Sequence, residues 1–148
     1  MAFNVRAYGL VPYYVEKNDV KILLCSSFDN KDKWGCLKGV KSRDETAYDC
    51  AKREFFEESS ILVPTVLFED YFEQLNLEKS IGVWLVNVKN IDNFDKYFKN
   101  DVLKANYSSF ENSEVKFFSI NKLPKIKSKQ QGLIKNIKDF LQNKSLYR

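Results

Sequence analysis

The apolar residues of the chain fall into short runs, rich in β-branched and aromatic side chains, that predict β-strands. The first run contains Pro12, which lacks an N–H and indicates an irregularity or an edge position within that strand. A polar turn at 16–19 follows it and predicts a hairpin with the second run. The predicted strands are residues 3–15, 20–25, 63–75, 79–88 and 114–120.

Three other segments predict helices, at residues 46–59, at 91–105 and from 128 onward. The helical spacing of the second segment is carried by Ile91, Phe94, Phe98 and Val102. The apolar face of the third consists of Leu133, Ile134, Ile137 and Leu141. The pairs Ser42/Glu45 and Ser128/Gln131 predict capping boxes for the first and third helices, with Asp44 as a rival N-cap in the first.

Strands and helices alternate irregularly in this order, which predicts an α/β fold with a mixed sheet covered by helices on both faces. A chain of 148 residues suits one domain with one core. Apolar residues make up 44% of it, enough to fill that core, and no repeat or linker divides the sequence. We therefore expect a single domain over residues 1–148.

The absence of histidine narrows the chemistry more than any other feature of the composition. It excludes a Ser-His-Asp triad, a Cys-His dyad, a histidine-ligated zinc site and a histidine general base. The three cysteines, Cys25, Cys36 and Cys50, form no CxxC pair, so we expect reduced and mostly buried thiols. Any catalysis must then depend on carboxylates, lysines, tyrosines, a thiol with a cationic neighbour or a metal ion.

Location and charge can also be predicted from the sequence. No apolar run approaches the roughly 18 residues that a membrane-spanning helix needs, and the N-terminus lacks the layout of a signal peptide. We therefore expect a cytoplasmic protein with no membrane partner. The net charge is +4, with an excess of lysines near the C-terminus. Such an excess is usually a solvated helix face and less often a site for polyphosphate or RNA.

Three glutamates provide the strongest chemical signal. Glu54, Glu57 and Glu58 are spaced i, i+3, i+4, which places them on one face of the predicted helix. Like charges so close repel one another, and a divalent ion such as Mg²⁺ would neutralise them through the oxygen ligands it prefers. Gly39, before the helix, would let the backbone approach the metal or a phosphate. A solvated acidic face is the alternative.

Neighbouring residues suggest how such a site would be supported. Arg53 can pair with Glu57 or Glu45 and so orient the metal ligands. Ala47 and Cys50 are small and lie on the same helix face, one to two turns earlier. They predict open volume beside the carboxylates, where a substrate could bind.

Residues 39–61 resemble the Nudix box, which runs Gly, five residues, Glu, seven residues, Arg-Glu-apolar-x-Glu-Glu-x-Gly-apolar. The positions in register are Gly39, Glu45, Arg53, Glu54, Phe55, Glu57, Glu58 and Ile61. Ser60 replaces the glycine near the end of the box, and Val40 and Leu37 replace a common glycine and proline. These departures affect loop geometry and the turn after the helix, while all the carboxylates are kept.

The resemblance implies a Nudix-type α/β/α sandwich and hydrolysis of a nucleoside diphosphate linked to another moiety. It implies Mg²⁺ or Mn²⁺ as cofactor. The implied metal ligands are Glu54, Glu57, Glu58 and a backbone carbonyl near Gly39, with Arg53 and Glu45 as supporting residues of the catalytic site. The first candidates for the general base are Glu54 and Glu57. Glu111 and Glu114 remain candidates, because members of the family differ in the position of the base.

Outside the box, residues 34–39 are similar to the Trp-x-x-Pro-Lys-Gly segment of diadenosine tetraphosphate hydrolases, and the strand that begins at Lys79 is similar to one of theirs. This resemblance implies that Lys38 and Lys79 bind phosphates, as part of a nucleotide site with Trp34. Ordinary surface lysines are the alternative. The candidates for stacking on a base are Trp34, Tyr71, Phe72 and Tyr107.

The leading functional interpretation is hydrolysis of a phosphoanhydride bond in a dinucleoside polyphosphate. An RNA 5′-pyrophosphohydrolase, with an RNA 5′ end as partner, and a nucleotide housecleaning pyrophosphatase are alternatives within the enzyme class. A non-catalytic Nudix-fold nucleotide sensor is a third possibility, disfavoured because all three glutamates are present. The sequence leaves open whether the protein is a monomer or a homodimer, and how many metal ions it binds.

Overall fold

A mixed β-sheet forms the centre of the computed structural model, which describes residues 5–145. Its strands are β1 (Val5–Glu16), β2 (Asp19–Ser27), β3 (Leu37–Val40), β4 (Tyr71–Gln74), β5 (Lys79–Asn87), β6 (Phe98–Lys99), β7 (Val102–Leu103) and β8 (Asn112–Ser119). They follow the order β4-β5-β1-β2-β8-β7-β6, and β3 pairs with β1. The pair β1–β5 is parallel and the others are antiparallel. The predicted mixed sheet is therefore confirmed.

The strand with the proline is central in the sheet. Along one edge β1 pairs with β5, and along the other it pairs first with β3 and then with β2. The pairing with β3 ends at Leu10 and that with β2 begins at Tyr13, so Pro12 falls where the partner changes. The irregularity expected at Pro12 is this exchange of partners, where a missing N–H is tolerated. Residues 3 and 4 of the predicted strand lie outside the described residues.

One helix covers each face of the sheet, as predicted. α1 (Ala47–Ser59) packs against the core on one face through Cys50, Ala51 and Phe55. α2 (Gln131–Ser145) covers the other face through Leu133, Ile134, Ile137 and Leu141, the four residues expected there. Each fully buried aliphatic or phenylalanine side chain contributes roughly 1.5–3 kcal/mol. The α/β/α sandwich is thus held by two apolar cores, one on each face of the sheet, where the chain length had led us to expect one.

The start of α1 differs from the prediction. Its N-cap is Thr46, whose Oγ1 accepts a hydrogen bond from the Asp49 N–H at 3.1 Å. The predicted capping box and the rival Asp44 were therefore wrong. Ser42 and Glu45 do interact, since the Glu45 carboxylate accepts from the Ser42 N–H at 2.8 Å, but within the loop before the helix. Glu45 therefore lies in the loop, and its carboxylate faces Arg53 on α1.

Two further predictions need correction, and one strand was not predicted. Of the predicted strand 63–75, only Tyr71–Gln74 is a strand, because a 3₁₀ turn occupies Thr65–Leu67. α2 is preceded by a 3₁₀ turn at Ser128–Gln130 that has no side-chain cap, so the second predicted capping box was also wrong. Strand β3 was missed, since it has only four residues.

No helix within residues 5–145 is long and apolar enough to cross a membrane.

The segment predicted as a helix at 91–105 is a short 3₁₀ turn followed by a β-hairpin. The hairpin turns at Asn100 and Asp101, whose φ angles are 53° and 68°. Asparagine and aspartate tolerate this left-handed backbone better than other residues with side chains, and two such residues form the tight turn that hairpins favour. The rings of Phe94 and Phe98, read from the sequence as a helix face, stack on each other with centroids 4.8 Å apart.

Candidate active site

A strand–loop–helix element, from β3 through 41–46 into α1, brings the candidate residues together. Gly39 on β3 lies directly against Glu54 on α1. A Cβ atom at Gly39 would come within 1.9–2.2 Å of the Glu54 carboxyl atoms, so any other residue there would displace the Glu54 carboxylate from this position. On the same strand, the Gly39 carbonyl accepts a weak hydrogen bond from the Cys50 thiol, with 3.4 Å between sulfur and oxygen. Glycine is needed here for close approach.

Arg53 ties the loop to the helix through Glu45. Its Nε and Nη2 donate to the two Glu45 carboxylate oxygens at 2.9 and 2.6 Å. Nη2 also donates to the Val40 carbonyl at 3.2 Å. The Arg53 hydrogen bonds lower the pKa of Glu45 to about 2, against a smaller opposing effect of burial. This two-pronged ion pair keeps Glu45 charged and fixes the end of β3 relative to the helix.

The same guanidinium reaches two of the three helix glutamates. Nη1 of Arg53 donates to a Glu54 oxygen at 2.9 Å and lies 3.3 and 3.4 Å from the oxygens of Glu57. The Glu54 side chain is 16% exposed, whereas that of Glu57 is 55% exposed. Arg53 therefore orients both carboxylates, and Glu57 retains contact with solvent.

Glu58 has a different environment. One of its oxygens accepts from the Asn112 side-chain amide at 3.3 Å. The other, Oε2, is the only buried side-chain nitrogen or oxygen within residues 5–145 that lacks a hydrogen-bond partner. Burial is the largest effect on this carboxyl and raises its pKa to about 8; Asn112 opposes the rise, while nearby Glu54 adds to it. An unpartnered buried carboxylate oxygen is costly unless a cation or a proton satisfies it.

The three glutamates line one cleft of about 640 Å³. Glu111 adds a carboxylate from the loop before β8, and Lys38 and Lys127 also line the cleft. The other candidate base, Glu114, does not line it; its side chain borders a neighbouring cavity. The structure thus brings one of the two candidates outside the box to the glutamate cluster.

The thiols and small residues near the cleft have structural roles. Cys25 and Cys36 line it but are buried and free, and burial raises the pKa of the Cys36 thiol to about 12 and that of Cys25 further. A catalytic thiolate is therefore disfavoured. Ala47 and Cys50 do not line the cleft, because Cys50 is fully buried and Ala47 packs against the same core. The open volume expected beside these two residues was wrong; the cleft opens instead over Gly39.

The residues fit a hard divalent cation on two observations. Glu58 Oε2 is buried without a partner, and the absence of a side chain at Gly39 lets the Glu54 carboxylate lie against the backbone of β3. Carboxylate oxygens are the ligands that Mg²⁺ and Mn²⁺ prefer. Within residues 5–145, no three acidic or thiol side chains already converge as a ligand set, and Arg53 contacts one oxygen of Glu54 and both oxygens of Glu57. Binding of an ion would therefore compete with these contacts of Arg53.

A second cavity, of about 570 Å³, adjoins the cleft and is termed the lysine pocket. The lysines that line it are Lys33, Lys38, Lys79, Lys127 and Lys129. Lys38 and Lys127 line both cavities. The charge of Lys38, then burial, then Lys129 and Lys127 lower the pKa of Lys79. Of the five, only Lys129 forms an ion pair within the described part of the chain, with Glu78 at 3.3 Å.

The candidate stacking residues do not line the cleft or the lysine pocket. Each packs on another ring: Trp34 on Phe118, Tyr71 on Trp84, Phe72 on Phe140 and Tyr107 on Tyr97. Two phenylalanines that the sequence analysis missed, Phe28 and Phe110, do line the cleft. They lie in loops, where no periodicity marks a residue as functional.

Comparisons with known proteins agree with this architecture. The family model of the NUDIX domain matches residues 4–140, most of the chain. A relative from Saccharomyces cerevisiae, described as m7GpppN-mRNA hydrolase, is 27% identical over 116 residues. The match covers 72% of this chain, which spans 12% of the length of that relative.

Two solved structures show the same fold. One is an Ap4A hydrolase from C. elegans, with a TM-score of 0.63, 22% identity, and coverage of 94% of this chain and 98% of that one. The other is a NUDIX hydrolase from Nitrosomonas europaea, with a TM-score of 0.64 and 18% identity. The alignment covers 97% of this chain and 73% of that one.

Proposed function

This chain belongs to the Nudix family of pyrophosphohydrolases, as its box indicated, and we propose that it cleaves a phosphoanhydride bond in a dinucleoside polyphosphate. Nudix hydrolases generally use divalent metal ions. The observation that carries the proposal is the unpartnered Glu58 Oε2, buried in a cleft that Glu54 and Glu57 also line. Such an oxygen is suited to a cation and unsuited to a merely solvated acidic face.

In this proposal, Glu54, Glu57, Glu58 and the Gly39 carbonyl would hold Mg²⁺ or Mn²⁺. When bound, the ion supplies neutralisation of phosphate charge and Lewis acidity. Arg53 positions Glu54 and Glu57, since it already contacts both. Glu45 holds Arg53 in place through its paired hydrogen bonds.

Hydrolysis also needs a group that takes a proton from the attacking water. Glu111 is the best-placed candidate outside the helix, because it lines the cleft without being one of the proposed ligands. Glu54 and Glu57 remain alternatives as the base. Glu114 is less favoured, since it borders a different cavity.

The lysine pocket supports the choice of an extended anionic substrate. Four of its five lysines form no ion pair with another described residue, so their charges repel one another unless an anion binds. Lys38 and Lys127 line both cavities and would guide a phosphate chain from the cleft into the pocket. Lys79 would bind phosphates deeper in the pocket. We assign no role to Trp34 in substrate binding, because it lines neither cavity.

An RNA 5′ end is the second candidate substrate, favoured by a specific observation. The Saccharomyces cerevisiae relative is described as an m7GpppN-mRNA hydrolase. The phosphates of an RNA 5′ end would suit the same pocket, since lysines bind phosphate as point charges whatever the attached group. Both candidate substrates would therefore bind in the same catalytic cleft. They differ in the group attached to the phosphates, which would lie beyond the lysine pocket.

A substrate panel separates these possibilities. We expect Mg²⁺-dependent hydrolysis of diadenosine tetraphosphate to exceed that of capped RNA, triphosphorylated RNA, a nucleoside triphosphate and a nucleotide sugar. The Glu58→Gln variant, purified in the same way, controls for contaminating phosphatases. Preference for either RNA would favour the second candidate. Absence of hydrolysis across the panel, or unchanged hydrolysis in EDTA, would contradict the proposed function.

A further inference from the structure

A further cavity lies at the end of the sheet away from the glutamates and is termed the aromatic cavity. Its volume is about 410 Å³, and none of the described residues that line it also lines the glutamate cleft or the lysine pocket. Strand β1 spans the distance between the two sites. Tyr8 pairs with Gly39, and Tyr14, which lines the aromatic cavity, lies six residues further along (14 − 8). At the rise of a β-strand, that separation is roughly 20 Å.

Four aromatic rings line this cavity as one contiguous group. They are Tyr14 of β1, Phe94 of the 3₁₀ turn, Phe98 of β6 and Phe117 of β8. The ring centroid of Phe117 lies 4.9 Å from that of Tyr14, 5.2 Å from that of Phe98 and 6.0 Å from that of Phe94. Phe94 and Phe117 are buried, whereas Tyr14 and Phe98 are partly exposed. The rings are therefore anchored in the core and remain open on the side of the cavity.

The ionisable groups around these rings are mainly acidic. Among the described residues that line the cavity, Glu16, Asp95 and Asp101 carry carboxylates, and only Lys89 carries an ammonium group. Asp101 already has a cation, because the Lys21 ammonium lies 2.7 Å from one of its oxygens. Glu16 lies 3.9 Å from the same ammonium, and Asp95 forms no ion pair in the described part of the chain. The cavity thus has an excess of negative charge in a chain whose net charge is +4.

We infer that the aromatic cavity is a second binding site, for a small organic cation that carries an ammonium group on an apolar body. Its volume falls within the roughly 300–1,000 Å³ of small-molecule sites, which are likewise mostly apolar with a few polar groups. The face of an aromatic ring attracts an ammonium group, and the Lys21 ammonium already lies 5.8 Å from the centroid of the Tyr14 ring. The carboxylates favour a cation over a neutral or anionic compound of the same shape. This site is independent of the proposed hydrolysis, whose substrate is an anion.

Three probes of similar shape and different charge test the inference. Benzylamine is a cation at neutral pH, benzyl alcohol is neutral and benzoate is an anion. Chemical-shift titration of the ¹⁵N-labelled protein would measure the affinity of each probe and the location of its site. We expect benzylamine to shift the amides of residues 14–16, 87–89 and 94–101, benzyl alcohol to bind several-fold more weakly, and benzoate to bind least. No binding of benzylamine, equal affinity for the three probes, tighter binding of benzoate, or shifts confined to another part of the chain would overturn the inference.

Substitutions at the cavity should change benzylamine affinity in opposite directions. Asp95→Asn should weaken binding several-fold and Lys89→Gln should strengthen it several-fold, while benzyl alcohol binding stays the same in both. Phe98→Leu keeps an apolar side chain but removes an aromatic face, so it should weaken benzylamine binding more than benzyl alcohol binding.

Asp139→Asn is the matched control for the change of charge. Asp139 is an exposed aspartate on α2 that pairs with Lys135 and does not line the aromatic cavity. The control should bind benzylamine as wild type does. Unchanged benzylamine affinity in both Asp95→Asn and Lys89→Gln, or an equal change in Asp139→Asn, would contradict a cation site in this cavity.

Discussion

Glu45 and Glu58 belong to the same sequence pattern but have opposite surroundings. Glu45 receives two hydrogen bonds from Arg53 and its pKa is lowered to about 2. Glu58 receives one, from Asn112, keeps a second oxygen buried without a partner, and its pKa is raised to about 8. The contrast separates a carboxylate that stabilises the fold from one whose stabilising partner must come from outside the chain.

The largest effect should follow from removing the unpartnered carboxylate. We expect Glu58→Gln to lower kcat by orders of magnitude and to leave the fold intact, since α1 still packs through Phe55 and Ala51. Glu57→Gln should behave similarly. Steady-state kinetics with saturating Mg²⁺ and circular dichroism would measure activity and fold. Near-normal activity in either variant would contradict the assignment of these residues.

Glu45→Gln should affect stability more than chemistry. Loss of its charge breaks the paired interaction with Arg53 and should lower the free energy of unfolding by about 1 kcal/mol, a modest value because Arg53 is partly exposed. Glu58→Gln should not destabilise the metal-free protein, because it removes a buried charge that lacks a full set of partners. Urea denaturation in EDTA measures both variants. Equal destabilisation by the two would remove the contrast between these residues.

The pH dependence of stability should also have opposite signs at the two residues. Glu45 has a lowered folded pKa, so its contribution is present above its unfolded pKa of about 4.3 and is lost as the pH falls toward 2. Glu58 has a raised folded pKa. Its contribution to the free energy of unfolding is therefore present at low pH and is lost as the pH rises from about 4.3 to 8.

Unfolding free energies measured in EDTA from acid to mildly alkaline pH test these signs. The wild type minus Glu45→Gln difference should shrink toward low pH. The corresponding difference for Glu58→Gln should be near zero at low pH and become more negative as the pH rises toward 8, because the buried carboxylate then ionises. Parallel curves for the two variants would show that their environments do not differ as described.

The smallest effect is expected for a residue of the lysine pocket, outside the glutamate cluster. Lys79→Ala should raise KM several-fold for an extended polyphosphate substrate and leave kcat nearly unchanged. The difference from wild type should diminish at high salt, because partly exposed charges are screened. Lys135→Ala is the control, since Lys135 lies on α2 and pairs with Asp139 outside the pocket. A salt-independent change, or the same change in the control, would argue against phosphate binding by Lys79.

Features set by local spacing could be predicted from the sequence. Glu54, Glu57 and Glu58 share a helix face because of the helical period alone, and the family pattern added Gly39 and Arg53. The Nudix family and the sandwich fold were both confirmed. The specific roles of these residues stay predictions.

Features set by long-range pairing could not be predicted. Asn112 meets Glu58 because β8 pairs with β2, and nothing in the spacing of these two residues signals the contact. The same pairing places Phe28 and Phe110 beside the cleft. The wrong prediction of a helix at 91–105 came from local spacing. The apolar residues there are spaced as in a helix, but the segment forms a hairpin, with a turn at Asn100 and Asp101 and pairing of β6 with β7.

Direct binding of Mn²⁺ tests most directly the claim that the glutamate cluster is a divalent-cation site. Electron paramagnetic resonance at pH 8 would measure free Mn²⁺ during titration of wild type, Glu45→Gln and Glu58→Gln. We predict that wild type binds Mn²⁺, that Glu45→Gln loses a few-fold in affinity, and that Glu58→Gln loses at least about tenfold, as expected when a ligand is removed. Equal Mn²⁺ affinity in wild type and Glu58→Gln would contradict the claim.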